Sequence, residues 1–200
     1  MKTVSVNLYT FDELGEDAQQ KAIEDNREIN VDYHGWWDFV YWPWEDKLEE
    51  MGFCEPEIRF SGFGSQGDGA SFTAGVDIAK FARYHNYNRF RSLVMVQRNG
   101  WDVDARIVRV GHYYVHHNTI KGVVEGHGMY YSDDEERTAR VYSQGEELEG
   151  YITEVVRQKS KLIYNDLREA YFALTSDEAV ADTLRANDYE FLEDGSRPRI

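Results

Sequence analysis

The segment Glu57-Ile-Arg-Phe-Ser-Gly-Phe-Gly-Ser-Gln-Gly-Asp-Gly-Ala-Ser-Phe-Thr-Ala-Gly-Val-Asp-Ile78 decides how the rest of the chain is read. Glu57–Phe60 and Ala70–Ile78 alternate apolar and polar residues with a period of two, as half-buried strands do. A glycine-rich connection separates them, so the spacing predicts a β-hairpin. Within that connection Gly62 to Gly67 form a formal G-x-G-x-x-G. A dinucleotide site needs a helix directly after this pattern, so that its first amides meet the pyrophosphate. Strand-like alternation follows instead, and no Lys-Ser/Thr pair closes a P-loop. The fingerprint therefore fails, and no cofactor is expected.

Working outward toward the N-terminus, Lys2 to Tyr9 alternate and predict a strand. Thr10-Phe-Asp-Glu13 has capping-box spacing, so a helix is expected to start there with Phe11, Leu14, Ala18, Ala22 and Ile23 turned inward. From Gly35, the residues Trp37, Val40, Tyr41, Trp44, Leu48 and Met51 form a helical stripe that Pro43 should kink or restart and Gly52 should stop.

On the other side of the hairpin, Ala79 to Val96 reads as helix interrupted over Tyr84–Asn88, and Val103–Val110 and His112–Val124 read as two further strands or one long bent one, punctuated by Gly111 and Gly122. A second capping box, Ser143-Gln-Gly-Glu146, opens a long helix carrying Leu148, Tyr151, Ile152, Val155, Val156, Leu162, Ile163, Leu167, Tyr171 and Leu174. Thr175-Ser-Asp-Glu178 caps a shorter helix, and Tyr189–Leu192 is expected to add a last strand to the sheet. The expected class is α+β: an antiparallel sheet of hairpin and meander packed against a few helices, including one long C-terminal helix. A single domain over residues 1–200 is expected.

A hydrophobic fraction of 42% supports one substantial core, and 14% aromatic content argues against disorder. Lys and Arg number 22 against 37 Asp and Glu, a formal charge of −15 that repels nucleic-acid phosphates and anionic membranes. No direct nucleic-acid or membrane partner is expected. The first residues lack the pattern of a signal peptide, and the lone Cys54 has no internal disulfide partner. A cytoplasmic location follows as an expectation.

Two readings of the glycine-rich loop stay open. In one, glycine supplies the backbone freedom of a turn, with Asp68 bonded to its own main chain. In the other, Ser61, Gly64, Ser65, Gln66, Gly67, Asp68 and Ser71 form a polar cradle for a ligand, joined by His112 and His117. An excess of glycines over what a turn needs also suggests a close approach of backbone or ligand. For the histidines, an extended segment would place His112 and His116 about 13 Å apart on one face and turn His117 to the other, too far for one zinc ion. No metal site is expected. His117-Asn-Thr119 matches one H-x-T element of the two-histidine phosphoesterases, whose mechanism needs two.

Carboxylates cluster over Asp12–Asp17, Glu45–Glu50, Asp133–Glu136 and Glu146–Glu149, either as solvated faces or as an imitation of DNA phosphates toward a basic partner. Four tryptophans at positions 36, 37, 42 and 44 cannot share one helix face, so at least one should reach the surface and anchor a partner. The partner-binding candidates are Trp42, Asp133, Asp134, Glu135 and Glu136.

Tyr9-Thr-Phe-Asp-Glu-Leu14, Trp36-Trp37, the loop Phe60 to Phe72, Gly111-His-Tyr-Tyr114 and Tyr189-Glu-Phe191 together resemble an uncharacterised protein family of tailed bacteriophages and prophages, sometimes labelled antitoxin-like. The chain departs from that loop pattern at Gly64, where a larger residue is expected. The family implies no catalytic residues. It implies a small phage accessory protein that binds and blocks a host defence or regulatory factor without enzymatic activity. Two alternatives accompany this expectation: a protein that sequesters or hydrolyses a nucleotide signal through the loop and histidines, and an antitoxin-like partner of a toxin.

Overall fold

The computed structural model describes residues 5–86, 88–98, 102–111, 114–127 and 135–198. They gather into two compact units, Met1–Asp38 with Leu167–Ile200, and Phe39–Asp166.

The second unit carries the sheet. Strands β2 (Phe53–Phe60), β3 (Ala70–Val76), β4 (Asp102–Arg109) and β5 (Ile120–His127) lie in that order, each antiparallel to the next. The hairpin and meander are therefore as expected. β2 is an edge strand, and its pairing shifts register between Cys54 and Glu57. Pro56 sits inside that bulge, where its missing amide breaks no ladder bond. β5 is the other edge. Its amides at Gly122 and Val124 donate to Thr153 Oγ1 (2.8 Å) and Glu149 Oε2 (3.3 Å) of α5 (Glu135–Leu174), so a helix covers the edge.

Helices α2 (Asp38–Glu50), α3 (Ile78–Tyr84) and α4 (Arg91–Arg98) complete this unit. Val40, Trp44 and Leu48 of α2 are buried, as their spacing predicts, and Gly52 follows with φ +98°. Pro43 lies within α2, which continues through it without a break. Phe53 packs edge-on against Phe72 and Phe81 at 5.3 and 5.5 Å, and Leu148, Ile152, Val156 and Ile163 of α5 are fully buried. The long helix starts at Glu135, ahead of the Ser143 capping box, and Leu162 faces solvent.

In the first unit, β1 (Tyr9–Thr10) and β6 (Glu190–Phe191) pair with each other in a separate two-stranded sheet. β6 therefore does not extend the main sheet, and residues 5–8 of the expected N-terminal strand are irregular. The capping box at Thr10 forms, with Thr10 N and Oγ1 donating to Glu13 at 2.8 and 2.9 Å. It opens a single 3-10 turn, and α1 begins only at Glu16 (Glu16–Asp25). Helix α6 (Asp177–Ala186) starts at Ser176, whose hydroxyl accepts from Ala179 N. Phe11, Leu14, Ala22, Ile23, Val180, Leu184 and Phe191 form one core. Among the described residues no helix is long and apolar enough to cross a membrane.

Candidate functional site

The glycine-rich loop joins β2 to β3, and its polar groups are turned mainly on itself. Asp68 accepts from the amides of Gly64 (2.9 Å) and Ser65 (2.6 Å). The Ser61 hydroxyl accepts from Gly69 N at 3.1 Å and donates to Val115 O at 3.3 Å. Ser71 is buried in β3. Of the candidates, Ser61 and Asp68 thus hold the loop in shape, Ser71 faces inward, and Gly64 and Ser65 lie exposed near its tip.

The surplus of glycines has a specific cause. A Cβ on Gly67 would stand 2.5 Å from the Tyr114 ring, and one on Gly69 would stand 2.7 Å from His116 Cδ2 and 3.1 Å from the Val115 carbonyl. Both lie far inside van der Waals contact, so the segment before β5 rests directly on the bare backbone of the loop. Tyr114 and His116, together with Thr119, Gln66 and Gly67, line a cavity of about 330 Å³. The histidine at the loop is His116, and His112 lies outside the described residues.

The strand expected from His112 begins instead at Ile120, because residues 117–119 form one 3-10 turn capped by His116. His116 Nδ1 accepts from Asn118 N at 3.1 Å, so a neutral His116 carries its proton on Nε2. The turn also corrects the expected facing of the two rings. His116 and His117 do not point to opposite sides, and their centroids are 3.7 Å apart. Burial, then the neighbouring His116, Lys161 and Arg157, pushes His117 down to about 4. It is neutral at pH 7. Among the described residues no group of three His, Cys, Asp or Glu side chains is placed to hold a metal ion.

On the opposite side of the loop, Phe63 stacks between Phe60 (5.4 Å) and Tyr164 of α5 (5.7 Å), and Tyr164 Oη donates to Gly62 O at 3.4 Å. α5 thereby passes from β5 to the loop. Arg157 and Lys161 lie along it, in the basic run Arg157-Gln-Lys-Ser-Lys161 that interrupts an acidic chain. That run was the available signal for two residues the sequence reading passed over. Tyr114 and Thr119 were visible only as parts of the Gly111-His-Tyr-Tyr114 and His117-Asn-Thr119 motifs, neither of which marked a cavity.

Among the partner-binding candidates, Trp42 is 64% exposed, whereas Trp36 and Trp44 are buried. Trp44 donates its indole N–H to Asp166 at 2.8 Å, and Trp36 packs on Tyr171 at 6.0 Å. Glu135 and Glu136 are exposed in the first turn of α5, where negative charge favours the helix, and Glu136 pairs with Arg140 at 3.2 Å. Asp133 and Asp134 lie outside the described residues. Phe39, 54% exposed and one turn before Trp42, was not singled out in the sequence.

No curated protein and no solved structure matches the chain. Residues 36–177, a stretch that takes in the hairpin, its glycine-rich loop, the meander and α5, match the family described as domain of unknown function DUF8835, and the chain belongs to that family.

Proposed function

We propose that this chain is an accessory protein of phage origin that acts without catalysis, by binding a host defence or regulatory protein and blocking it. The observation that carries this reading is the outer face of α2. Phe39, Trp42 and Pro43, then Asp46, Glu49 and Glu50, recur at three- and four-residue steps, and all are exposed. The first three make an apolar half and the last three an acidic half. Neither half serves the helix: an exposed tryptophan removes little apolar area from water, and carboxylates in the last turn oppose the helix dipole.

Such a face suits a partner that offers an apolar pocket ringed by Lys and Arg. The aromatic pair would supply most of the affinity, and the carboxylates with the net charge of −15 would steer the encounter. The phage resemblance of the loop and flanking motifs supports a host target. A toxin presenting a basic surface would fit the same face, which is the antitoxin-like case.

The test is retention of proteins from defence-bearing bacteria on the immobilised chain, with Trp42→Ala and the double variant Asp46→Lys/Glu49→Lys in parallel. One partner should be held stoichiometrically, about 30-fold less tightly by Trp42→Ala, as for a central aromatic anchor. The charge variant should lose the salt-sensitive part of the binding. Equal retention by all three proteins, or none by any, would sink the reading.

A further inference from the structure

α5 is pinned at two points on the sheet unit. Thr153 bonds to Gly122, where an added Cβ would stand 2.8 Å from Ile152, and Tyr164 stacks on Phe63 of the loop. Between these anchors Arg157 and Lys161, one helical turn apart, run past the turn formed by His116 to Thr119. Neither cation has a carboxylate within ion-pair distance among the described residues, in a chain where acids outnumber bases 37 to 22. Arg157 Nε is buried with no hydrogen-bond partner, and so is Ser160 Oγ three residues on. Leaving a buried donor unmet is destabilising, and more so for a charged group. Water would meet the hydrogen bond but leave the charge uncompensated.

We propose that Arg157 and Lys161, with the neighbouring His117, bind a phosphate group, and that the adjacent cavity takes the organic part of a phosphomonoester of nucleotide size. The donor set suits that anion, since guanidinium, ammonium and imidazole N–H groups all donate and no carboxylate is among them. Burial first, and then the positive charges of His116, Lys161 and Arg157, disfavour protonation of His117, and an anion would offset the second of these. In the 330 Å³ cavity, Tyr114 is 61% exposed and offers a ring face for stacking, while Gln66 and His116 Nε2 offer polar contacts. This inference concerns binding alone and is independent of the α2 face.

The full chain is titrated calorimetrically with inorganic phosphate, with adenosine and guanosine 5′-monophosphates, and with the two nucleosides. Probes carrying phosphate should bind and the nucleosides should not. Nucleotides should bind more tightly than inorganic phosphate because the cavity is part of the site, and equal affinities would overturn the cavity's part in the proposal. Because Arg157 is partly buried and its loss can disturb folding, the exposed Lys161→Glu accompanies Arg157→Gln. Each should weaken binding at least about tenfold, the loss expected for a charged hydrogen bond. No binding of any phosphate-bearing probe at millimolar concentration overturns the proposal, as do nucleosides binding as well as nucleotides or a Lys161→Glu variant that binds as the wild type does.

Discussion

At Gly67 and Gly69 the loop has no room for a side chain, because Tyr114 and His116 already occupy the space a Cβ would need. At Gly64, only a few residues away, a Cβ would meet nothing within 4 Å, and at Gly62 it would touch only the Asp68 carboxylate at 3.4 Å. The two halves of one glycine-rich segment therefore use glycine for different reasons. The later half is a packing surface against the turn before β5, and the earlier half is an open tip held by Asp68. A Cβ at position 64 would fit without disturbance. The lesson is that glycine density in a loop does not by itself mark a ligand cradle. Here part of it marks where one backbone lies on another.

Substitution can break this contrast, and the largest effect is expected at Gly69. Gly69→Val drives a side chain into His116 and the Val115 carbonyl, and should cost about 2–3 kcal/mol in urea unfolding. A loss near zero would mean the segment before β5 does not rest there. Gly67→Ala meets the exposed Tyr114 ring, which can swing aside, so about 1 kcal/mol is expected, with altered Tyr114 fluorescence or NMR shifts as the second readout.

His117 sharpens the comparison through pH. Its folded pKa of about 4 lies below the ordinary 6.5, so between those values the unfolded chain binds more protons. This contribution is fully present above pH 6.5 and is lost as pH falls toward 4. Wild type should therefore lose more stability than His117→Gln between pH 7 and 4.5, in parallel urea titrations at each pH. Identical losses would show that burial and the charges of His116, Lys161 and Arg157 do not act on His117. The smallest change is expected at the tip, where Gly64→Ala should raise stability by about 0.5 kcal/mol by restricting the unfolded chain. A marked destabilisation there would erase the distinction between the two halves.

Much of the second unit was legible from local pattern. The hairpin on either side of the loop, the buried stripe of α2 and the core face of α5 follow from two-residue and three-to-four-residue periodicities that need no knowledge of distant residues. Trp42 followed from the same logic, since one helix face cannot hold four tryptophans. Failures came where a capping pattern did not mark the start of a helix. The Thr10 capping box closes a single 3-10 turn, and the Ser143 capping pattern falls inside α5, which already runs from Glu135. The histidines were misread because their facing depended on an assumed strand. One 3-10 turn brings His116 and His117 to 3.7 Å where extended backbone would have parted them.

From its residues alone this chain determined an acidic α+β protein, a hairpin spanned by a glycine-rich connection, a long helix and a surface tryptophan. Each of those follows from charge, periodicity or capping, which act between residues near in sequence. Only the tertiary structure decided that His116 meets the loop, that Arg157 and Lys161 pass the histidine turn, and that β6 joins β1 instead of the main sheet. Those pairings join residues tens to more than a hundred positions apart. They are settled by which backbones can approach closely enough to pack, and for the first two of them glycines 67, 69 and 122 permit that approach through the side chains they lack.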